Sequence, residues 1–388
     1  MRLSLLLSLV FLFSVPFSTF AQKDTEIEHL INSTVFEKER KVRVFLPERY
    51  FRDTTATLAV TYVLDAQSDR FWNAVTGNGG YLVNNYSVMP MIFVGIVSDD
   101  RGSEFDPDSF MLQDHIEKEV FPLIEKEYRT DNFRAILGHS WGGAFVGNTL
   151  FSNRKDMFNG YIGISPSFGD TDNIIQKNAE SLLKENTTFG KYLYFSYGDV
   201  GRRELEFGGY VKSISELLAT YPNSSLKFEP RLIERVGHWQ IVGPSVCDGL
   251  ISMSRNYFAD QWVLEQMVKN EVKDLKTEVA KFNSTQETTF GYIHKASGRY
   301  FNFVANDFRD LEDYNTALQV YELAVADKDD VKVYVNISDT YYKLGDKIKA
   351  KASFLKTQQL LEEQKEDVSE NYYKNVGDWI KEKLAELD

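Results

Sequence analysis

The chain has 388 residues, which is enough for two or three domains, and its apolar content of 43% with 14% aromatic residues is sufficient for a large hydrophobic core. The net charge of −13 is spread along the chain rather than concentrated in blocks. This charge argues against nucleic acid or an anionic membrane surface as the partner, and the composition predicts a globular protein.

The first residues have the pattern of a secretory signal peptide. Arg2 precedes an apolar run over residues 3–17, and residues 18–21 supply the small side chains that a signal peptidase reads before Gln22. The run is short, and no cysteine follows it that could carry a lipid. We therefore predict that residues 1–21 are removed, and that the mature protein is periplasmic or extracellular without an integral membrane span.

Apolar strand patterns alternate with amphipathic helical patterns through the first two thirds of the chain. The predicted strands are 41–46, 58–64, 91–97, 135–137, 160–165, 191–196 and 226–233. The predicted helices are 110–128, 174–185, 209–221 and 248–264. This order predicts an α/β fold with a mostly parallel sheet and helices on both faces, with catalytic loops at the carboxyl ends of the strands.

Gly138, Ser140 and Gly142 have the G-x-S-x-G spacing of a nucleophile elbow, in which a strained serine lies on a sharp turn between a strand and a helix. An ordinary glycine-rich turn between a strand and a helix can have the same spacing. Here an apolar run precedes the motif, and residues 143–150 are small and apolar, as a helix packed tightly on a sheet requires. The context favours Ser140 as a nucleophile.

A serine nucleophile needs a general base within hydrogen-bond reach, and in α/β-hydrolases the order along the chain is Ser, Asp or Glu, then His. His238 fits this order, because it follows the last predicted strand in a loop that contains Gly237. His29, His115 and His294 lie in positions that do not fit. His139 is expected to point away from the site.

The acid of the triad is expected in the loop 197–206, after the strand 191–196. Asp199, Glu204 and Glu206 compete for this role, and spacing alone does not choose among them. Asp170 and Asp172, after the preceding strand, are further candidates.

An acyl intermediate needs two N–H donors for its oxyanion. One is expected from the backbone of Trp141 and the other from the loop 65–68. Phe71, Trp72, Phe168 and Trp239 lie next to the catalytic loops and are predicted to wall a substrate pocket, although each of them could equally be a core residue.

In the last third of the chain glycine and proline become scarce. Predicted helices at 314–324 and 347–357 place alanine, an aromatic and a small residue at matching positions about one tetratricopeptide period apart, and residues 341–346 supply a tight turn. We predict an α/β domain over 22–267 and a small all-α domain of tetratricopeptide-like hairpins over 268–388. Plain helical packing on the first domain is the alternative. Because so few repeats rarely stand alone, the tail is expected to dock on the first domain, to self-associate or to bind a protein partner.

The sequence resembles the esterase family of α/β-hydrolases that includes siderophore esterases, S-formylglutathione hydrolases, feruloyl esterases and mycolyltransferases. The resemblance is carried by residues 62–65, 116–129, 138–143, 165–167 and 237–238.

The resemblance implies that Ser140 is the nucleophile, that His238 is the base, and that Gln67 and Trp141 donate the oxyanion N–H groups. Relatives usually have glycine where Ala66 stands, which disturbs the expected placement of Gln67. Their acid often lies in a Gly-x-x-Glu-like loop, which favours Glu204 over Asp199, and a Ser-His dyad without an acid is the remaining alternative.

The sequence thus predicts an exported serine esterase that hydrolyses carboxylic esters through an acyl-enzyme and needs no metal or cofactor. An acyltransferase of the same fold is the nearest alternative. A non-catalytic binding or assembly protein that uses its helical tail is the alternative from another class. The sequence leaves open whether the substrate is a siderophore lactone, a feruloylated sugar or a short-chain ester.

Overall fold

The computed structural model describes residues 23–387 except positions 55, 172 and 271. The predicted signal peptide, residues 1–21, lies outside the described residues. The first described element is a strand that begins at Thr25.

The described residues form one twisted sheet of eight strands in the order β1-β2-β4-β3-β5-β6-β7-β8. The strands are β1 (Thr25–Ser33), β2 (Lys38–Leu46), β3 (Leu58–Val63), β4 (Met91–Ile96), β5 (Thr130–His139), β6 (Gly160–Ile164), β7 (Lys191–Gly198) and β8 (Leu226–Ile233). Strand β2 pairs antiparallel with both β1 and β4, and all other pairs are parallel. The predicted α/β fold with a mostly parallel sheet is confirmed.

Burial explains which strands the sequence revealed. Every residue of β3, β4 and β6 is buried, so these central strands read as continuous apolar runs. The sheet begins one strand earlier than predicted. The sequence did not indicate β1, because this strand alternates exposed and half-buried residues and contains charged ones. The opposite edge strand, β8, is also largely exposed and includes Pro230 among charged neighbours.

Helices cover both faces of the sheet and form the C-terminal part of the chain. They are α1 (Glu48–Arg52), α2 (Asp69–Asn84), α3 (Arg101–Glu104), α4 (Met111–His115), α5 (Phe121–Glu127), α6 (Trp141–Leu150), α7 (Ile174–Lys184), α8 (Arg202–Thr220), α9 (Val242–Tyr257), α10 (Gln261–Lys269), α11 (Leu275–Phe290), α12 (Gly298–Asp310), α13 (Tyr314–Ala324), α14 (Val331–Leu344), α15 (Lys347–Glu363) and α16 (Glu370–Leu387). A turn of π-helix over Ile116–Val120 joins α4 to α5, so the predicted helix 110–128 is continuous but irregular. In the described part of the chain, no helix is both long enough and apolar enough to cross a membrane.

Two hydrophobic cores fix the sheet between its helices. Helices α2 and α9 pack on one face, through side chains such as Val75 and Leu250. Helices α4 to α8 pack on the other face, through side chains such as Ile124 and Phe145. Because the sheet is held from both sides, the loops at the carboxyl ends of its parallel strands have a rigid base.

Two helix boundaries differ from the sequence prediction. The predicted helix 248–264 is in fact two helices, because Asp260 caps α10 by accepting a hydrogen bond of 2.9 Å from the N–H of Val263. Helix α8 begins at Arg202 rather than 209, so the loop after β7 is shorter than expected. The second difference moves Glu204 from a loop into the first turn of a helix.

The C-terminal helices contain two consecutive hairpins, α12 with α13 and α14 with α15. Helix α14 begins 33 residues after α12, and α15 begins 33 residues after α13. The hydrophobic core below the sheet continues into this region through Leu275, Val304 and Val320. The domain limits 22–267 and 268–388, and the tetratricopeptide likeness, stay predictions.

The carboxylate of Glu119 joins the end of β1 to the helices on one face of the sheet. It accepts hydrogen bonds of 2.6 Å from Ser33 Oγ, 2.7 Å from the N–H of Thr34 and 2.6 Å from His115 Nδ1. Burial opposes ionisation of this carboxyl, but its hydrogen bonds lower the pKa of Glu119 from 4.5 to about 2. The ionised form is therefore stabilised by folding.

We expect Glu119→Gln to lower the free energy of unfolding at pH 7 and to reduce the loss of stability on acidification. The pKa of Glu119 is depressed in the folded state, so its contribution is complete above about pH 4.5 and is lost as the pH falls through about 2. Urea unfolding of both proteins between pH 7 and pH 2 measures this difference. Glu117→Gln, an exposed change in the same helical segment, serves as the control and should keep the wild-type pH dependence.

Candidate active site

Ser140 lies on a sharp turn between β5 and α6, in a strained backbone conformation with φ 60° and ψ −118°. Its N–H donates a hydrogen bond of 2.9 Å to the carbonyl oxygen of Ile164 in the neighbouring strand β6. A Cβ atom at Gly138 would overlap the backbone carbonyl group of Gly142. The close approach of strand and helix therefore requires glycine at 138, as a nucleophile elbow does.

Glu204 and His238 form a buried pair beside this turn. Glu204 has no exposed surface, and its Oε1 lies 2.7 Å from His238 Nδ1. Its Oε2 accepts hydrogen bonds of 2.6 Å from the N–H of Gly198 and 2.9 Å from Ser165 Oγ. Because a carboxylate only accepts, His238 Nδ1 carries the proton and leaves Nε2 available as a base.

The environment of Glu204 keeps it ionised. Burial alone would raise its pKa, but the hydrogen bonds from His238, Gly198 and Ser165 outweigh burial and hold the pKa below its usual range. A charged carboxylate at this position can orient the imidazole and stabilise its protonated form.

The competing carboxylates have other hydrogen-bond partners, although Glu206 also lines the cavity described below. Asp199 Oδ1 accepts a hydrogen bond of 2.6 Å from the N–H of Arg235, and Glu206 accepts one of 2.7 Å from Tyr210 Oη. Asp172 and the side chain of Asp170 lie outside the described residues. Among the acids whose side chains are described, Glu204 is the one hydrogen-bonded to His238.

The expectation that His139 points away from the site is wrong. Its ring centroid lies 4.4 Å from that of His238, and its Nε2 donates a hydrogen bond of 2.8 Å to the carbonyl oxygen of His238. Burial, with a smaller contribution from His238, lowers the pKa of His139 to about 3. A neutral imidazole therefore supports the backbone and one face of His238 without competing for its proton.

The remaining three histidines make their contacts in other parts of the structure. His29 is hydrogen-bonded to Tyr128, His115 to Glu119, and His294 packs against Phe258.

The segment after β3 lies beside the nucleophile turn. Asp65 has a positive φ of 60°, and Gln67 donates a hydrogen bond of 2.9 Å from Nε2 to Asp65 Oδ1. Gln67 Oε1 accepts a hydrogen bond of 2.9 Å from the N–H of Ser98. These contacts fix the side chain of Gln67 between the ends of β3 and β4.

Ala66 is accommodated by a glycine in the neighbouring strand. A Cβ atom added at Gly95 would lie 2.6 Å from the Cβ of Ala66, so the space that glycine usually provides at 66 is provided at 95 instead. The N–H of Ala66 donates a hydrogen bond of 3.0 Å to the carbonyl oxygen of Ile96, which keeps this segment on the edge of β4.

A cavity of about 560 Å³ joins these elements at the carboxyl ends of the strands. It is lined by Ser140, His238, Gln67 and Trp141, and Glu204 lies behind His238. The N–H groups in the first turn of a helix have no intrahelical acceptor, and Trp141 is the first residue of α6. The arrangement can hold an ester carbonyl between a serine, an imidazole and backbone donors.

Two of the four residues predicted to wall the substrate pocket lie at this cavity. Phe71 and Trp239 line the cavity, and Trp239 is 76% exposed. Trp72 and Phe168 have no exposed surface and belong to the two cores on either side of the sheet, so their prediction as wall residues is wrong.

Sequence reasoning missed several residues of the wall, His139 among them. Phe207, Arg101 and Arg203 also line the cavity. Arg101 follows β4 at the same edge of the sheet as the other loops, and this position was the available signal for it.

Comparison with known proteins bears on the family and on the fold. Residues 33–189 match the sequence model of the family described as "Putative esterase". This segment contains the turn at Ser140 and is similar to that family, and the protein is a carboxylic-ester hydrolase. Among curated protein sequences, none matches the chain.

Solved structures share the fold of this esterase at low sequence identity. An IroE-like serine hydrolase from Shewanella oneidensis is 17% identical with a TM-score of 0.63, over 77% of this chain and 99% of that one. An uncharacterised protein from Capnocytophaga ochracea is 13% identical with a TM-score of 0.63, over 94% and 99% of the two chains. Siderophore hydrolase EstA from Aspergillus nidulans is 17% identical with a TM-score of 0.52, over 62% and 97%. These likenesses establish the fold.

Proposed function

We propose that this protein is an exported serine esterase that hydrolyses its substrate through an acyl-enzyme on Ser140. His238 is the general base, Glu204 is the acid that orients it, and the backbone N–H groups of Gln67 and Trp141 form the oxyanion hole. The observation that carries the proposal is the buried hydrogen bond of 2.7 Å between Glu204 and His238, at a cavity that also contains the strained Ser140.

In the first half of the reaction, Ser140 Oγ attacks the ester carbonyl carbon while His238 Nε2 accepts the hydroxyl proton. The carbonyl oxygen becomes an oxyanion that receives hydrogen bonds from the two backbone donors. Glu204 stabilises the imidazolium that has formed. Collapse of the tetrahedral intermediate breaks the bond to the alcohol, which leaves with the proton from His238.

In the second half, water attacks the acyl group on Ser140 and gives its proton to His238 Nε2. A second oxyanion forms in the same hole and collapses, which releases the carboxylic acid and returns the proton to Ser140 Oγ. The same residues thus serve both steps, and the net reaction consumes one water molecule for each ester bond broken.

The walls of the cavity favour an ester with an aromatic or bulky apolar group. Phe71, Phe207 and Trp239 supply aromatic surface around the reacting atoms. One structure of similar fold is a siderophore hydrolase, so ester-linked siderophores are the first natural esters to be compared with feruloyl and short-chain esters.

Export and the role of the C-terminal helices complete the proposal. The pattern over residues 1–21 supports secretion to the periplasm or beyond. The regular spacing of the hairpins α12–α13 and α14–α15 supports a tetratricopeptide-like surface for a protein partner or for self-association.

Trapping of the acyl-enzyme tests the proposed function. With the mature chain and p-nitrophenyl butyrate, we expect a burst of one equivalent of nitrophenol before steady turnover, provided that deacylation is the slower step. A fluorophosphonate should modify Ser140, as located by mass spectrometry of the digested protein, and should abolish turnover. Ser167 lines the same cavity and is the internal comparison. Modification of Ser167 instead, or turnover that survives complete labelling, would refute the assignment.

A further inference from the structure

Arg101 begins the short helix α3 after β4, and its side chain lines the cavity and contacts Asp65. Its Nε lies 2.6 Å from Asp65 Oδ1, and its Nη2 lies 2.9 Å from Asp65 Oδ2. Two parallel hydrogen bonds of this kind fix the orientation of both planar groups, and do so more strongly than a single contact.

Asp65 is itself part of the segment that carries Gln67. Its carboxylate is largely buried, has a backbone φ of 60° and accepts the hydrogen bond from Gln67 Nε2. The conformation with positive φ is costly for a residue other than glycine, so it persists only because the surroundings hold it. The two hydrogen bonds from Arg101 are among the contacts that hold it.

The same two side chains also touch the segment after the nucleophile. The guanidinium carbon of Arg101 lies 5.4 Å from the ring centroid of Trp141. A Cβ atom at Gly142 would lie 3.2 Å from Asp65 Oδ2, so the carboxylate is packed against the backbone of α6. The pair therefore lies between the segment of Gln67 and the segment of Trp141.

We propose that Arg101 is a positioning residue that, through Asp65, sets the distance between the two backbone donors of the oxyanion hole. This inference rests on the proposed function, because it concerns the hole that the acyl-enzyme mechanism requires. Arg101 acts on the transition state through the backbone of Gln67 and Trp141 and does not hold the substrate. Its removal therefore affects kcat much more than KM.

The test compares Arg101→Met and Arg101→Lys with Arg52→Met. Arg52 is a suitable control because its side chain is 39% exposed, against 37% for Arg101, and it is also paired with a carboxylate, Glu48. We expect Arg101→Met to lower kcat by about 10²-fold with little change in KM, since a small displacement of reacting groups costs about this factor. Arg101→Lys should recover part of the loss, and Arg52→Met should retain wild-type kinetics.

A trifluoromethyl ketone separates positioning from general structural damage. Ser140 Oγ adds to the ketone carbonyl carbon and forms a hemiketal whose oxyanion occupies the hole. In Arg101→Met the inhibition constant of the ketone should therefore rise by the same factor by which kcat/KM falls. Thermal unfolding is measured in parallel. A loss of kcat/KM without matching loss of ketone affinity would overturn the inference.

A comparison of a neutral substrate with an anionic one tests whether Arg101 binds the substrate directly. The loss should be equal for p-nitrophenyl butyrate and for the p-nitrophenyl monoester of succinic acid. A loss confined to the anionic ester, expressed in KM, would show that Arg101 binds substrate and would overturn the inference.

Asp65→Asn keeps the test decisive if Arg101→Met fails to fold. It should cause a similar loss of kcat, and the double variant should lose no more than either single variant, because both changes break one ion pair. Additive losses would contradict the inference. Failure of the wild-type chain to be labelled at Ser140 would instead count against the proposed function, so the two failures are distinguishable.

Discussion

Replacing Ser140 by alanine should lower kcat by about 10⁶-fold, and replacing His238 by alanine should lower it by nearly the same factor. The reason is that the two side chains act as one unit, in which the hydroxyl attacks only when the imidazole accepts its proton. The double variant should therefore be no less active than either single variant. The geometry that supports this expectation is the shared cavity and the strained turn at Ser140.

Steady-state kinetics with p-nitrophenyl butyrate measures these losses, with protein purified from separate preparations to exclude contamination by wild type. Ser167→Ala is a matched control on the same cavity and should retain most of the activity. Losses of Ser140→Ala and His238→Ala that multiply in the double variant would show that the two residues act independently, against the proposed mechanism.

Glu204→Gln should lower kcat by about 10⁴-fold while the protein remains folded. Glutamine has nearly the same size and keeps one oxygen that can accept from the N–H of Gly198 and from Ser165. Its amide nitrogen can instead face His238 Nδ1, which would place the imidazole proton on Nε2 and remove the base. The loss also includes the missing negative charge beside the imidazolium.

Asp199→Asn is the matched control for Glu204→Gln. Asp199 lies in the short connection between β7 and α8, the helix that carries Glu204, and asparagine keeps an oxygen that can accept from the N–H of Arg235. This variant should change kcat only slightly. A large loss in Asp199→Asn with little loss in Glu204→Gln would exchange the roles of the two carboxylates and would contradict the proposed triad.

The central part of the fold follows from local sequence patterns. Strands β3, β4 and β6 are buried on both faces, so their apolar runs have few other interpretations. Strand β1 was missed because an edge strand needs apolar residues on one face only, and its Glu26 and Glu28 obscure the pattern. The division of the helix 248–264 depends on one hydrogen bond from the cap Asp260, which hydrophobic periodicity does not report.

For the candidate site, the G-x-S-x-G motif indicated Ser140, and the order of residues along the chain indicated His238. The sequence did not show in which direction the aromatic side chains near the site point. Phe71 and Trp72 are neighbours in α2, and consecutive residues of a helix face different sides, so one lines the cavity and the other is in the core. Glu204 was favoured only by the family resemblance. The bidentate contact of Arg101 with Asp65 joins residues 36 positions apart and has no local signature.

The composition of the two edge strands bears on how the protein behaves at high concentration. An exposed strand with free backbone groups invites addition of a strand from another molecule, which begins aggregation. Here β8 contains Pro230, which has no N–H to donate, between Glu229 and Arg231. On the far edge, Glu26 and Glu28 of β1 are ion-paired with Arg43 and Lys41 of β2, so a second copy of β1 would meet charged side chains there. Both edges therefore discourage intermolecular strand pairing and favour solubility of the folded chain.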